Sequence, residues 1–406
     1  MTASKKSQHA RPIHPFPARM ASDLALAQLR KLAPCSVVLD PMVGSGTVVR
    51  QAGDLGHNAI GFDSDPLAVL MSTVWTRPVR DQLVESTLKN VLANARKLRA
   101  ADIYLPWIDD DEETAGFIRY WFGPKQRSVL RRLSFALWSL DDGRRPSAAR
   151  AANDVLRVAL SRIIITKDQG ASLARDVSHS RPHKVVETSD FDAMAAFERS
   201  ASYVRRQLMS HPPAARADIR LGDARCMGRI DAHSIDAVLT SPPYLNAIDY
   251  MRGHRMSLVW LGHCVRDLRH IRGQSVGSER GIDNAADRRG LAQIERAMGD
   301  LDALSPRHQA MVHRYAQDIS RFVSEVARVL KPGGEATFVV GNSCLKNTFI
   351  HNASAVAAAA RAACLKAKQK FERELPDRRR YLPMPSDAKK PLGKRMRTET
   401  ILTFAA

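Results

Sequence analysis

The segment Thr240-Ser-Pro-Pro-Tyr244 carries residue types suited to chemistry on a planar ring. It follows the apolar run at residues 235–239, which predicts a β-strand. Proline fixes φ and lacks an N–H, so the prolines stiffen the turn and leave its carbonyl groups as acceptors. Ser241 adds a side-chain acceptor and Tyr244 an aromatic face for stacking. The segment suits a flipped-out base with an exocyclic amino group, or it is a turn that only ends a strand.

A second segment has the composition of a cofactor-binding turn. Residues 36–40 predict a short buried strand that runs into Pro41-Met-Val-Gly44-Ser45-Gly46-Thr47 and then a helix. The glycines let a ligand approach the backbone, and the helix N-terminus offers N–H donors. No Lys-Ser/Thr pair follows, so this is not a P-loop, and Val49 stands where a dinucleotide fingerprint has its third glycine.

An acid, Asp63, follows the second predicted strand at residues 58–62. An acid at the tip of this strand can bind both ribose hydroxyls of a nucleoside. The Gly44–Gly46 turn and Asp63 therefore fit an adenosine-bearing cofactor without a pyrophosphate. A tight strand–helix turn beside a surface aspartate is the alternative.

These segments resemble the DNA amino-methyltransferases, which use S-adenosylmethionine to methylate cytosine N4 or adenine N6. Further motifs agree in chain order: His14-Pro15-Phe16-Pro17 resembles the N-terminal cofactor-contacting motif, Ile219-Arg-Leu-Gly-Asp223 the third-strand motif, and Val329-Leu-Lys-Pro-Gly-Gly334 the turn into the fifth strand. The resemblance covers roughly residues 14–76 and 218–345. Residues 366–375 and 398–404 fit the closing hairpin of the same fold.

The resemblance implies an α/β protein with a Rossmann-like class I methyltransferase fold, in which a mostly parallel seven-stranded sheet carries a helical insertion. It implies S-adenosylmethionine as the cofactor and no metal. It assigns catalysis to Ser241, Pro242, Pro243 and Tyr244. It assigns cofactor binding to His14, Pro15, Phe16, Asp40, Pro41, Gly44, Ser45, Gly46, Thr47, Asp63 and Asp223, the last facing the adenine amino group of the cofactor.

The expected chemistry needs geometry rather than a covalent nucleophile. The amino lone pair of cytosine is delocalised into the ring, so acceptors at Ser241 and the Pro242 carbonyl would favour a pyramidal nitrogen, most strongly in the transition state. Tyr244 would stack on the base and align the nitrogen with the methyl group. The leading serine favours cytosine N4, because the adenine enzymes mostly begin this motif with Asp or Asn.

The cysteines predict no catalytic or structural role. Pro34-Cys35 imitates the nucleophile of enzymes that methylate carbon 5 of cytosine, but it precedes the first strand, where we expect a small buried cysteine. The five cysteines lack C-x-x-C spacing, which indicates a reduced protein without a disulfide framework or zinc site. His179 and His183 have no further clustered ligands, so no metal is expected there.

The charge of the chain predicts an anionic polymer as its partner. The 406 residues carry a formal charge of +20, which fits DNA and also fits binding proteins without catalysis. Lys5 and Lys6 precede no apolar stretch, so no secretion signal is expected, and no apolar run approaches a membrane span. We expect a cytoplasmic, nucleoid-associated protein.

The expected organisation is a core with insertions. Its parts are a cofactor-binding half (14–76), a helical insertion that is a candidate for target recognition (77–217), the third and fourth strands with the catalytic motif (218–251), a mobile insertion (252–315) and the C-terminal part of the core with a basic loop (316–406). Helices are predicted near residues 130–140, 150–165 and 191–209. The acids at 109–113 predict a solvated loop. The aromatics at 120–122, followed by Lys125 and Arg127, predict core packing beside a basic surface or, as the alternative, contact with nucleic acid.

Three loops are candidates for contact with DNA. Residues 178–184 form a polar loop that contacts phosphates and bases or is only an exposed connection. Residues 273–290 predict a loop that closes over DNA or is a surface excursion. Residues 366–397 contain twelve Lys/Arg and four Asp/Glu, which attracts phosphates.

The function expected from the resemblance is site-specific methylation of cytosine N4 in duplex DNA. The alternatives are adenine N6 in DNA, an amino group in RNA, and a catalytically silent DNA-binding relative. A cognate restriction enzyme and the oligomeric state stay open.

Overall fold

The computed structural model describes residues 11–16, 19–141, 146–175, 182–245, 249–277, 288–375 and 396–406. The chain divides into two compact units. The sheet unit comprises Asp23–Asp65, Ala217–Ile248 and Arg269–Ala406. The helical unit comprises Met1–Ser22, Pro66–Arg216 and Asp249–Leu268.

The strands alternate with helices along the chain. In chain order they are β1 (Val37–Asp40), β2 (Asn58–Asp63), β3 (Ala174–Arg175), β4 (His183–Lys184), β5 (Asp218–Leu221), β6 (Ile235–Thr240), β7 (Leu330–Val340), β8 (Ser343–Leu345), β9 (Thr348–Ile350), β10 (Lys366–Glu374) and β11 (Thr398–Ala405).

The sheet unit is built on a seven-stranded sheet with the spatial order β10-β11-β7-β6-β1-β2-β5. Strand β11 runs antiparallel to β7 and β10, while the other neighbours are parallel. The chain adds β2 and β5 on one side of β1 and then crosses to β6 and β7 on the other. This is the strand order of the class I methyltransferase fold, which the resemblance implies. In such sheets ligands bind at the carboxyl ends of the strands where the order reverses, here at β1 and β6.

The helices are distributed between the two units. In chain order they are α1 (Ser22–Leu29), α2 (Thr47–Asp54), α3 (Pro66–Thr76), α4 (Asp81–Lys97), α5 (Pro106–Asp109), α6 (Glu112–Trp121), α7 (Pro124–Trp138), α8 (Ser147–Arg162), α9 (Ala193–Ser210), α10 (Met251–Leu258), α11 (Val265–Gln274), α12 (Arg288–Ala297), α13 (Pro306–Val329) and α14 (Asn352–Ala362). The predicted helices correspond to α7, α8 and α9, which lie together with α3, α4, α5 and α6 in the insertion between β2 and β5.

The division into units differs from the expected boundaries, except near residue 217. Helix α3 packs on α8, and α10 packs on both, so residues 66–76 and 249–268 belong to the helical unit. The acidic residues 109–113 are a junction between α5 and α6 rather than a loop. There Asp111 caps α6 by accepting from the Thr114 N–H at 2.8 Å, which explains an acid at this position.

Both units have apolar cores. In the sheet unit, residues of the central strands such as Leu39, Val238 and Phe338 are at most 2% exposed and pack with α13 and α14. The Lys-Pro-Gly-Gly segment at residues 331–334 interrupts the pairing of β7 with β6. It lies between Leu330, which pairs with Ile235, and Glu335, which pairs with Ala237. Gly333 in this segment has φ 78°. Among the described residues, no helix combines the length and apolar character needed to cross a bilayer.

Candidate active site

A buried carboxyl group marks the point where the strand order reverses. Asp40 ends β1 at 4% exposure, and its Oδ1 accepts from Thr240 Oγ1 of β6 at 2.8 Å. The Met42 N–H also donates to Oδ1, at 3.2 Å. Burial raises the pKa of Asp40 from 3.8 to about 7, against these two hydrogen bonds and with a contribution from the charge of Asp63. The ends of the two strands are thus tied by a group that is easily protonated.

The glycine turn after β1 is fastened to β2. Gly44 and Gly46 have φ 49° and 89°, the left-handed region that glycine tolerates. The Gly46 N–H donates to Val43 O at 2.8 Å, and the Val43 N–H donates to Phe62 O at 2.7 Å. Helix α2 then begins at Thr47, and Pro41, Ser45 and Thr47 are buried. The turn is therefore a rigid backbone cradle.

Asp63 holds this cradle from the end of β2. Its Oδ2 accepts from the Gly44 N–H at 2.9 Å, and its Oδ1 accepts from the Asp65 N–H at 3.0 Å. A carboxylate has about four lone-pair sites, so both oxygens can accept further hydrogen bonds. Asp63 is placed both to shape the turn and to meet a ligand there.

The Ser-Pro-Pro-Tyr turn is more enclosed than the sequence predicts. Ser241 Oγ donates to Val339 O at 3.1 Å, which leaves its lone pairs as acceptors. Pro242 is buried, and the Pro243 carbonyl accepts from the Tyr315 hydroxyl of α13 at 3.2 Å, so that carbonyl is not free as expected. Burial raises the pKa of Tyr315, which keeps this hydroxyl protonated as a donor.

The Tyr244 ring lies in the core of the sheet unit at 7% exposure instead of presenting an open face. It packs against Gly341, where an added Cβ would lie 2.9 Å from Tyr244 Cε2. The absence of a side chain at Gly341 lets the ring pack on the backbone. At 7% exposure, little of the ring surface is left for the stacking on a base that the resemblance implies.

Asp223, after β5, is bound within the protein. Arg225 donates to both of its carboxylate oxygens, with Nη2 2.7 Å from Oδ2, and also donates to Asp318 of α13 and to Gln274 O. Burial alone would lower the pKa of Arg225, but Asp223 and Asp318 hold it above its usual value. Any contact of Asp223 with a cofactor would use the remaining lone pairs.

The N-terminal motif belongs to the helical unit. His14 is 8% exposed, with Nδ1 2.6 Å from Pro15 O. The Phe16 ring stacks on Tyr250 at 5.1 Å and 28° and also contacts His254. The structure thus brings Asp40, the glycine turn, Asp63 and Ser241 to the carboxyl edge of one sheet, while His14, Pro15 and Phe16 pack in the other unit. Pro17 lies outside the described residues.

Cys35 is exposed, so the expectation of a buried cysteine is wrong. It has φ 60° in the turn before β1, where Ser36 Oγ donates to Ala33 O and the chain faces outward. Within the described ranges, no group of three or more His, Cys, Asp or Glu side chains is arranged to hold a metal ion.

No protein-family model matches the chain. The type II methyltransferase M.BsoBI of Geobacillus stearothermophilus is 21% identical over 357 residues, which cover 77% of this chain and 69% of the relative. The type II methyltransferase M.MjaII of Methanocaldococcus jannaschii is 24% identical over 98 residues, covering 24% of this chain and 18% of the relative. A SAM-dependent methyltransferase structure from Methanosarcina mazei aligns over 93% of this chain and 96% of its own, at 9% identity and a TM-score of 0.32.

The strand order of the sheet and the names of the two relatives both indicate a methyltransferase, and S-adenosylmethionine is the cofactor of this fold class. The strand order of the sheet identifies the class I methyltransferase fold. The residues at the sheet edge fit this cofactor: the left-handed glycines open the backbone to a ligand, and Asp63 is an acceptor beside them. A cationic group near Asp40 would favour its ionised form. When bound, S-adenosylmethionine supplies a methyl group carried on a sulfonium.

Sequence reasoning missed three side chains that hold the site together, namely Arg225, Tyr315 and Asp318. Asp318 is an acid on the buried face of α13, at 8% exposure, which is a readable signal for a buried partner. Arg225 follows the third-strand acid by two residues, a spacing that allows the bidentate pair seen here. Nothing in the sequence indicates that Tyr315 donates to Pro243, because the two residues are 72 positions apart.

Proposed function

We propose that the chain transfers a methyl group from S-adenosylmethionine to the exocyclic N4 of cytosine in DNA. The observation that carries this proposal is the hydrogen bond between Thr240 and Asp40, residues 200 positions apart in the chain. It joins the strand that enters the glycine turn to the strand that enters the Ser-Pro-Pro-Tyr turn. Both turns therefore start from the carboxyl edge where this fold class binds its ligands.

Ser241 would act on the amino group of the base. Its hydroxyl group donates its hydrogen to Val339 O, so toward a ligand its oxygen can act only as an acceptor. An acceptor for the amino N–H stabilises the transition state more than the ground state, because the N–H groups become more acidic as the nitrogen attacks. Tyr315 holds the turn through Pro243, which keeps the acceptor in place.

Charge, relatives and motif support DNA and cytosine as the substrate. The formal charge of +20 favours a polyanion, and the two curated relatives are named type II methyltransferases. The leading serine of the motif favours cytosine N4 over adenine N6 by resemblance. No covalent nucleophile is required, and Cys35 takes no part in the proposed reaction.

The experiment is nucleoside mass spectrometry of DNA and RNA from cells that express the wild type, Ser241→Ala or Cys35→Ala. We expect N4-methylcytosine in DNA from the wild type and Cys35→Ala, and a strong reduction for Ser241→Ala. Purified Ser241→Ala should bind S-adenosylhomocysteine as the wild type does, because Ser241 acts only on the amino group.

Other products would correct the proposal in different places. N6-methyladenine in DNA would change the base and keep the mechanism. Methylated RNA with unmodified DNA would overturn the substrate class. Formation of 5-methylcytosine that depends on Cys35 would overturn the mechanism.

A further inference from the structure

Helix α6 of the helical unit turns three aromatic side chains away from its core. Thr114 and Ile118 form its buried face, and Phe122 continues that face at 1% exposure against Trp260. Tyr120 lies on the other side and is 56% exposed, while Phe117 and Trp121 are half-buried. The expectation that the aromatics at 120–122 pack in the core is therefore wrong for Tyr120. Exposed aromatic surface of this kind marks interaction sites.

These rings form a continuous strip with a cation at each end. Arg255 lies over the Phe117 ring at 5.1 Å, and Phe117 contacts Trp121 at 6.2 Å. Trp121 meets Tyr120 edge-on at 4.9 Å, and Lys184 Nζ lies over the Tyr120 ring at 5.2 Å. We call Phe117, Tyr120 and Trp121, with Lys184 and Arg255, the aromatic strip.

The aromatic strip is held on rigid backbone. The Trp121 carbonyl accepts from the Leu173 N–H at 2.8 Å, which attaches the end of α6 to the segment that enters β3. Strand β3 pairs with β4, so Lys184 lies opposite Ala174, and the exposed Arg175 lies opposite His183. Because these elements are hydrogen-bonded to one another, the rings and cations are positioned before any partner binds.

We propose that the aromatic strip is a DNA-contact surface, in which Tyr120 packs on a base or sugar and Lys184 contacts phosphate. This rests on the proposed DNA substrate and adds the surface that holds it. Rings stack on bases regardless of sequence, and flanking cations attract the backbone. A second copy of this chain fits less well, because it would bring a like charge to the same cations.

Lys184 of the aromatic strip can contact phosphate despite a local acid. Lys184 forms an ion pair with Glu187, whose side chain is 84% exposed. The Lys184 side chain is 20% exposed, but its carboxylate partner lies in solvent, so a phosphate can compete with the carboxylate for the ammonium group. The strip therefore offers both of the contacts that single strands and distorted duplexes require.

The test compares Tyr120→Ala and Lys184→Gln with the wild type, using anisotropy of a fluorescein-labelled, mixed-sequence duplex at several salt concentrations. Tyr120→Ala should lower affinity by about 5- to 100-fold with the salt slope unchanged. Lys184→Gln should flatten the slope of log K against log salt by about one. Tyr120→Phe keeps the ring and should bind like the wild type.

Tyr104→Ala is the matched control, because Tyr104 is also 56% exposed in the helical unit but bonds to Asp110, beside acids. It should leave DNA affinity unchanged. If Tyr120→Ala and the wild type bind DNA with equal affinity, and the wild type methylates DNA, the aromatic strip is not a DNA-contact surface. The proposed function would then stand. A wild type that does not bind DNA would overturn both. A change in oligomeric mass for Tyr120→Ala, with DNA affinity intact, would assign the strip to self-association.

Discussion

Asp63 already accepts hydrogen bonds within the protein before any ligand binds. Its oxygens accept from the N–H groups of Gly44 and Asp65, so the acid expected to hold a ribose also shapes the turn beside it. Removing the side chain therefore tests two effects at once. Asp63→Asn separates them, because its amide oxygen can still accept from one backbone N–H while the charge is lost.

We predict that Asp63→Asn weakens the binding of S-adenosylhomocysteine by about 1.5–3 kcal/mol, which is the value of hydrogen bonds to a charged acceptor. Asp63→Ala should weaken it at least as much and also lower the free energy of unfolding by about 1–3 kcal/mol, because backbone donors lose their acceptor. Calorimetry and denaturant titration measure the two quantities. Asp218→Asn, at the start of β5, loses only a surface ion pair with Arg220, so the affinity should be unchanged and the free energy of unfolding should change by less than about 1 kcal/mol. Unchanged affinity in Asp63→Asn would remove Asp63 from the cofactor site.

The raised pKa of Asp40 predicts that the stability of the protein depends on pH. Burial raises its pKa from 3.8 to about 7 in the folded protein. The folded state therefore binds more protons than the unfolded state between these values, and stability falls as the pH rises through that window. The loss of stability is complete above the pKa of Asp40 in the folded state and absent below its pKa in the unfolded state.

We predict that the wild type loses on the order of 2–3 kcal/mol relative to Asp40→Asn between about pH 5 and pH 8. The asparagine cannot ionise, so the difference between the two unfolding free energies isolates Asp40 from other titrating groups. Denaturant titrations at both pH values measure it. A constant difference would show that Asp40 ionises normally in the folded protein.

At the scale of elements, the segment after β7 packs on the Ser-Pro-Pro-Tyr turn after β6. Gly341 follows β7, and its missing side chain leaves room for the Tyr244 ring and Met396. We predict that Gly341→Ala displaces Tyr244, lowers the free energy of unfolding by about 1–3 kcal/mol and reduces turnover. Affinity for S-adenosylhomocysteine should hold, because the cofactor turn follows β1. Denaturant titration, initial rates and calorimetry measure these effects.

Gly228→Ala is the control for this substitution. A Cβ at Gly228 would meet no atom within 4 Å, so the variant should fold and turn over normally. Full activity of Gly341→Ala would show that turnover does not depend on how the Tyr244 ring packs.

At the scale of the whole molecule, charge should dominate affinity for DNA. The basic residues 378–380 and 394–395 lie outside the described residues, as do 178–181 and 278–287 of the other candidate loops. We predict that neutralising residues 378–380 weakens binding to all DNA sequences alike and flattens the salt dependence of log K. Anisotropy on unrelated duplexes measures this. A loss confined to one sequence, with the salt slope intact, would indicate base reading instead.

The sequence by itself determined the local elements and their order. Apolar runs ending in Asp40, Asp63 and Thr240 predict the strands, and the periodic leucines of α7 predict a helix, because both depend on neighbours along the chain. With the resemblance, the seven-stranded sheet and the helical insertion followed from the order of the motifs.

Only the tertiary structure decided which side chains meet. The hydrogen bonds from Thr240 to Asp40 and from Tyr315 to Pro243 join distant parts of the chain, as does the packing of Tyr244 on Gly341. The exposure of Tyr120 follows from how α6 packs, and not from its aromatic neighbours in sequence. Burial and pairing depend on contacts across the fold, and the same residue types can lie inside or outside with equal local preference.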